Sequence, residues 1–273
     1  MCWSFEVSLV FGTLEFLTIS VLLRRSQHHD RCLATLLFPI MMQEFCQMMI
    51  WRYVGEDAST CPAENFFWGK AANLFYESVP LFANIAAWQW LWFKLPDKWT
   101  WDIHLLIAST VLAFVGYVLG VTNRFYVLPP VCTFPGPCGH LLFFPQEDAL
   151  VVPLGGIYYM LPLFAAGVID AGDGRLHGHW GLGGVAVLGF IETFTAVLYF
   201  NNKMPSFLYR ATCNPDEFYS TWCWQAYFIA IWALLEVWIY RKVVDPNWQI
   251  PGHMSSGHIP EGSEGEQASL TAP

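Results

Sequence analysis

The sequence predicts an all-α fold, a polytopic integral membrane protein built as a seven-transmembrane helix bundle, and three observations carry that prediction. Hydrophobic residues fill 55% of the 273 positions, while charged residues fill only 13%. Apolar runs recur at close to the ~20 residues a helix needs to cross a bilayer. Most of the segments between them are short, and they hold nearly all of the Lys and Arg.

Taken in order, the runs place spans at about 4–23, 33–54, 71–93, 103–122, 149–169, 182–200 and 222–240. The first lacks a basic leader and a small-residue cleavage site before Arg24, so it reads as a signal anchor. Between the fourth and fifth, residues 123–148 hold five prolines and five aromatics, too apolar for a free linker, and are expected to fold as a cap over the exterior face. The seventh contains no lysine, which excludes a retinal Schiff base there. Residues 1–244 thus form the transmembrane domain. Residues 245–273 turn to Gly, Ser, Glu and Pro and are expected to form a disordered cytosolic tail.

Orientation follows from the basic residues, which tend to stay cytoplasmic beside short loops. With the N-terminus lumenal or exterior, cytoplasmic segments carry Arg24, Arg25, Arg31, Lys94, Lys98, Arg175, Arg241 and Lys242, against Arg52, Lys70, Arg124, Lys203 and Arg210 on the other side. The endoplasmic reticulum is the expected membrane, with the C-terminus in the cytosol. In this topology Cys2, Cys61, Cys132, Cys138, Cys213 and Cys223 fall on or near the exterior side, where disulfides form. Six cysteines allow fifteen complete pairings, and Cys132 to Cys138 could close locally. The formal charge of −9 argues against nucleic-acid partners.

Five glutamates lie within the predicted spans: Glu15, Glu44, Glu77, Glu192 and Glu236. An acid at a helix centre costs ~2.5–3.5 kcal/mol on insertion scales, and such residues usually face the bundle interior and mark function. Amides accompany them: Gln43 and Gln47, one helical turn apart, flank Glu44, and Asn84 lies further along the third span. The plainer alternative is that these groups tie helices together through hydrogen bonds worth ~0.6 kcal/mol each. That suits any one glutamate about as well as function does. It suits five on five helices less well, because small residues or amides would pack at lower cost.

A carboxylic acid removed from water favours its neutral form and can act as a general acid. Aromatic faces stabilise cations, by ~2 kcal/mol or more when desolvated. Aromatics fill 17% of the chain, and while most suit interfacial belts and packing, Tyr158, Phe190, Phe194 and Trp232 are mid-span. Asp170 opens a Gly- and Asp-rich loop at the membrane edge. The close histidine pairs, His28-His29 and His177-Gly-His179, lack the spacing of a metal site. No cofactor is expected. Gly-rich phosphate loops and serine elbows are missing from the sequence.

In size, span number and the pairing of intramembrane glutamates with aromatics over residues 1–244, the chain resembles the small seven-helix membrane-bound terpene cyclases of fungal meroterpenoid pathways. Gln43-Glu44-Phe45 is similar to the family's segment bearing the helix-two acid. The resemblance implies protonation of the epoxide on a prenylated substrate and cyclisation of the resulting carbocation. Glu44 would then be the proton donor and Glu192 or Glu236 a second acid or final base, with Glu77 and Asp170 as further candidates. Gln43, Gln47, Asn84, Tyr158, Phe190, Phe194 and Trp232 would line the substrate path. The expected partners are a lipophilic prenylated small molecule and the bilayer. The alternative is a proton-coupled small-molecule transporter or a seven-helix sensor, using the same acids as a relay.

Overall fold

The computed structural model describes residues 4–25, 28–54, 61–92, 101–127, 132–136 and 141–142, and helical positions 158–159, 161–163, 165–166, 230–231 and 234–235. Four long helices dominate them: α1 (Phe5–Arg25), α2 (His28–Arg52), α3 (Ala63–Trp92) and α4 (Trp101–Thr122). Each coincides with one of the first four expected spans, except that α3 begins eight residues before position 71. A π-helical turn (Asn123–Val127) continues α4, and two short antiparallel strands follow, β1 (Phe134–Pro135) and β2 (Leu141–Leu142). Within the expected fifth and seventh spans only helical positions 158–159, 161–163, 165–166, 230–231 and 234–235 are described; the expected sixth span and the tail lie outside the described residues.

Local chemistry sets the helix ends. The Ser4 hydroxyl accepts a 3.2 Å hydrogen bond from the Val7 amide, capping α1 at a position where a backbone donor has no helical partner. Glu6 in the first turn and Arg24 and Arg25 in the last complement the helix dipole. Arg25 closes the turn into α2 by a forked ion pair with Asp30, whose carboxylate is fully buried.

Three helices, Phe5–Arg25, Asp30–Arg52 and Ile103–Thr122, are long and apolar enough to cross a membrane. Of these, α2 is central: 61% of its apolar window is buried, against 33% for α1 and 22% for α4. The outer faces of the other two are strongly apolar, with Val10, Phe16, Leu17 and Val21 on α1 and Val111, Phe114 and Leu119 on α4 all exposed. A surface this apolar would be a liability in water and is the ordinary one in lipid. Thr13 and Ser20, on the same outer side of α1, donate their hydroxyls to the Leu9 and Phe16 carbonyls at 2.6 and 2.8 Å. Their polar atoms are thereby satisfied within the helix, as hydrocarbon requires.

The register between helices is fixed by named contacts. α3 runs antiparallel to α2 over its length, from Asn65 donating to the Tyr53 carbonyl at one end to Thr35 donating to Gln89 Oε1 at the other. α4 returns along α3, with Ser109 donating to Asn84 Oδ1 at 2.7 Å and the Trp88 indole to Thr110 Oγ1 at 2.9 Å. α4 approaches its neighbours through two glycines one turn apart. A methyl group on Gly116 would stand 2.7 Å from Tyr158 Cβ, and one on Gly120 2.7 Å from the Glu77 carboxyl carbon. This is the small-residue spacing by which helices pack closely in membranes.

The connection after α4 folds back onto the first turns of α3. Cys132 is disulfide-bonded to Cys61, and not to Cys138 as the short spacing allowed. Fold-back explains the difference: it sets the two Cα atoms 5.5 Å apart, despite 71 residues of intervening chain. Beside the disulfide, the Asn65 side chain donates to the Thr133 carbonyl at 2.9 Å and accepts from the Thr133 amide at 3.0 Å. Leu141 is fully buried against Phe11, Ile50 and Ala72. The described part of the connection therefore covers the end of the bundle where α1 starts, as expected of a cap.

Candidate functional site

The apolar core is not continuous. One cluster, containing Ile19, Leu22, Leu36, Leu37, Ile40, Val79 and Ala83, fills the bundle toward the α1–α2 turn. A second, containing Phe11, Cys46, Ile50, Ala72 and Leu141, with Trp68 and Phe75 against it, fills the capped end. Each of the first three helices passes from one cluster to the other, and α1 and α2 each place an acid in the gap: Glu15 lies between Phe11 and Ile19, and Glu44 between Ile40 and Cys46. On α3 the change of cluster falls between Phe75 and Tyr76, next to Glu77.

Glu15 and Glu44 are 0% and 1% exposed. Glu15 lies on the buried stripe of α1, formed by Ser8, Phe11, Glu15, Thr18 and Leu22 at alternating spacings of three and four. Glu44 faces α1 directly: its Cβ lies 3.5 Å from where a methyl on Gly12 would stand. Glu15 is one turn beyond Gly12, so the helical rise separates the two acids in depth by only ~5 Å.

Gln43 and Gln47 lie on the stripe of α2 that includes Leu36, Ile40 and Ile50, and both are buried. Gln43 Oε1 has no hydrogen-bond partner among the described residues. Interior polar atoms are nearly always satisfied, so a bare carbonyl oxygen marks a place where a donor belongs. The Tyr76 ring of α3 stacks on Tyr159, with centroids 4.6 Å apart and planes 12° apart. The result is a group of two carboxyls and two amides between two apolar clusters, with the tyrosine pair at the edge of the first cluster, to which both rings belong.

The other expected residues fall elsewhere or outside the described part. Glu77 is half-buried and turned to α4, its carboxyl against Gly120. Tyr158 is half-buried against Gly116, and its neighbour Tyr159 is the one stacked on Tyr76. Asn84 is fully buried and engaged in packing: it donates to the Pro80 carbonyl at 2.8 Å and to the Pro162 carbonyl at 3.4 Å, and accepts from Ser109. Glu192, Glu236, Asp170, Phe190, Phe194 and Trp232 lie outside the described residues. Among the described residues, no group of three His, Cys, Asp or Glu side chains is placed to hold a metal.

Three residues in or beside this layer were not among the expected site: Glu15, Tyr76 and Tyr159. The signal for Glu15 was present, since the polar residues of α1 other than its end groups divide into a buried set, Ser8, Glu15 and Thr18, and a set bonded back to its own helix, Thr13 and Ser20. Chemically the layer can hold and move protons, and it can receive a group that donates a hydrogen bond to Gln43. Comparison with family models, with curated proteins and with solved structures finds no match to this chain, so the reading of the layer rests on its own geometry.

Proposed function

We propose that this protein is a seven-span integral membrane terpene cyclase. It protonates the epoxide of a prenylated, meroterpenoid-type substrate and cyclises the resulting carbocation. The observation that carries this reading is the acid layer itself: buried carboxyls held between two apolar clusters, with a stacked tyrosine pair in the first of those clusters. An acid donor matters most to a substrate that dissolves in the membrane and needs no water to react.

In this scheme Glu44 is the general acid. Its proton passes to the epoxide oxygen, the carbon–oxygen bond opens, and the cation develops on carbon, where the faces of Tyr76 and Tyr159 supply electron density. Loss of a proton from carbon ends the sequence, so the whole reaction is an isomerisation. The side bearing Cys61 and Cys132 would be lumenal, because their disulfide suits an oxidising compartment. α3 would cross with α2, alongside which it runs.

Purified protein in detergent, supplied with epoxidised prenyl arenes, tests the reading. Conversion by the wild type is expected, and Glu44→Gln should lower it by ~10²-fold or more, the usual contribution of a positioned acid. Turnover by Glu44→Gln at the wild-type rate would remove Glu44 from the mechanism. Gradient-driven uptake of a solute by reconstituted protein, with no conversion of any epoxide, would replace the enzyme with a proton-coupled transporter.

A further inference from the structure

Fastenings of three different kinds shut the capped end of the bundle. Leu141, set opposite Pro135 in the β1–β2 hairpin, is fully buried among Phe11 of α1, Ile50 of α2 and Ala72 of α3. Asn65 of α3 donates to the Tyr53 and Thr133 carbonyls and accepts from the Thr133 amide, joining the end of α2, the start of α3 and the base of the hairpin. Gly69 makes room for that contact, since a methyl there would stand 2.9 Å from Thr133 Oγ1. The third fastening is the Cys61–Cys132 bond.

These fastenings differ in what can reach them. Leu141, Asn65 and Thr133 are buried, whereas Cys61 is exposed, so a solute can address the disulfide and not the others. Upstream of Cys132 the connection is held at Phe125, whose carbonyl accepts from Lys70 at 3.5 Å and whose ring lies beneath the same ammonium. With the disulfide cut, the hairpin hangs from that point and from contacts that open and close reversibly. Behind Leu141 lies Cys46, a free cysteine of the same cluster and 1% exposed. It is one turn below Ile50 on α2 and ~3 Å of helical rise from Glu44. What passes Leu141 therefore arrives beside the buried acids and amides.

We propose that the Leu141 hairpin is a plug on a thiol-cleavable tether. With Cys61–Cys132 intact it closes the capped end to solutes, and reduction by a dithiol lets it swing out and opens that end down to Cys46. One thiolate of the reductant attacks Cys61 Sγ, forming a mixed disulfide and releasing Cys132 as a thiolate. The second thiol then displaces Cys61 and leaves the reductant as a cyclic disulfide. Two electrons pass to the protein, and the two protons of the dithiol end on the two cysteines.

Cys46 is a built-in reporter. Detergent-solubilised full-length protein is treated with a small anionic maleimide, either oxidised or after reduction with a dithiol that is then removed without oxygen, and peptide mass spectrometry follows each cysteine. Reduction should place label on Cys61 and Cys132 and speed labelling of Cys46 by at least about tenfold. Cys32, buried toward the α1–α2 turn, should stay unlabelled in both states. Cys61→Ser combined with Cys132→Ser should match the reduced protein without reductant, which assigns the effect to this bond.

One rate for Cys46 in both redox states would overturn the proposal. So would an unlabelled Cys46 in chains that carry label on Cys61 and Cys132, because Asn65 and Leu141 would then hold the plug without the bond. Cys32 labelling in step with Cys46 would overturn it too, as the mark of general unfolding. The assay involves no epoxide, so loss of the cyclase reading leaves the plug standing, and loss of the plug leaves the cyclase standing.

Discussion

The two helix seams on either side of α2 and α3 treat buried polar residues in opposite ways. Between α3 and α4, Asn84, Ser109 and Trp88 are matched to partners on neighbouring helices, at distances from 2.7 to 3.4 Å. Along α1 and α2, two acids and two amides are buried between the apolar clusters, and one amide oxygen has no donor among the described residues. A polar residue in a span is therefore weak evidence of function by itself. The informative question is whether the fold consumes its hydrogen-bonding capacity. On that criterion Asn84 belongs to the scaffold, while Gln43, whose Oε1 meets no donor among the described residues, belongs to the site.

The largest effect that would break this distinction comes from Asn84. Asn84→Leu removes the 2.7 Å acceptor of Ser109 and one of two donors to the Pro162 carbonyl, leaving these two buried groups only their mutual 3.3 Å hydrogen bond, and should destabilise the bundle by ~1–2 kcal/mol. Thermal unfolding in detergent measures it. Glu44→Gln, by contrast, replaces an acid with an amide and should leave the unfolding temperature unchanged or raised, while lowering the proposed epoxide conversion by ~10²-fold or more. If both variants lose stability alike, the acids are scaffold too and the contrast fails.

Next in size are the glycines of α4. A methyl on Gly116 would press on Tyr158 Cβ at 2.7 Å and on its backbone oxygen at 3.1 Å, and one on Gly120 would press on the Glu77 carboxyl. Overpacking of this kind costs ~1–3 kcal/mol. Gly116→Ala should fall at the upper end, because a backbone atom cannot swing aside. Gly120→Ala should fall at the lower end, because a glutamate side chain can. Equal losses in the unfolding assay would mean that the Glu77 carboxyl is held as rigidly as backbone, and would strengthen its claim to a role in the site.

How far the sequence revealed this arrangement differs from residue to residue. α1, α2 and α4 were legible because their apolar runs are long and lightly charged. The early start of α3 was not, because Glu64 and Lys70 lower the hydropathy there. In the fold Lys70 is accommodated over the Phe66 and Phe125 rings, at 4.4 and 5.0 Å from their centroids. The burial of Gln43, Glu44 and Gln47 could be read from the apolar run around them. The role of Asn84 could not, because its partners lie 25 and 78 residues away. The Cys61–Cys132 bond, closing 71 residues, was hidden for the same reason.

The smallest expected effect sharpens the comparison most, because it concerns the residue at which α1 meets the Glu44 turn of α2. A methyl group on Gly12 would meet Glu44 Cβ at 3.5 Å and the Phe45 amide nitrogen at 3.9 Å, both ordinary contacts. Gly12→Ala should therefore be tolerated, with the better helix propensity of alanine offsetting a slight loss of room, for a net change within ~1 kcal/mol. Gly12→Leu has no such space and must push α1 from α2. The leucine variant should still reach the membrane, since it raises the hydrophobicity of α1, yet unfold in detergent at a lower temperature than Gly12→Ala. If the two variants instead unfold alike, the α1–α2 spacing at Glu44 owes nothing to Gly12.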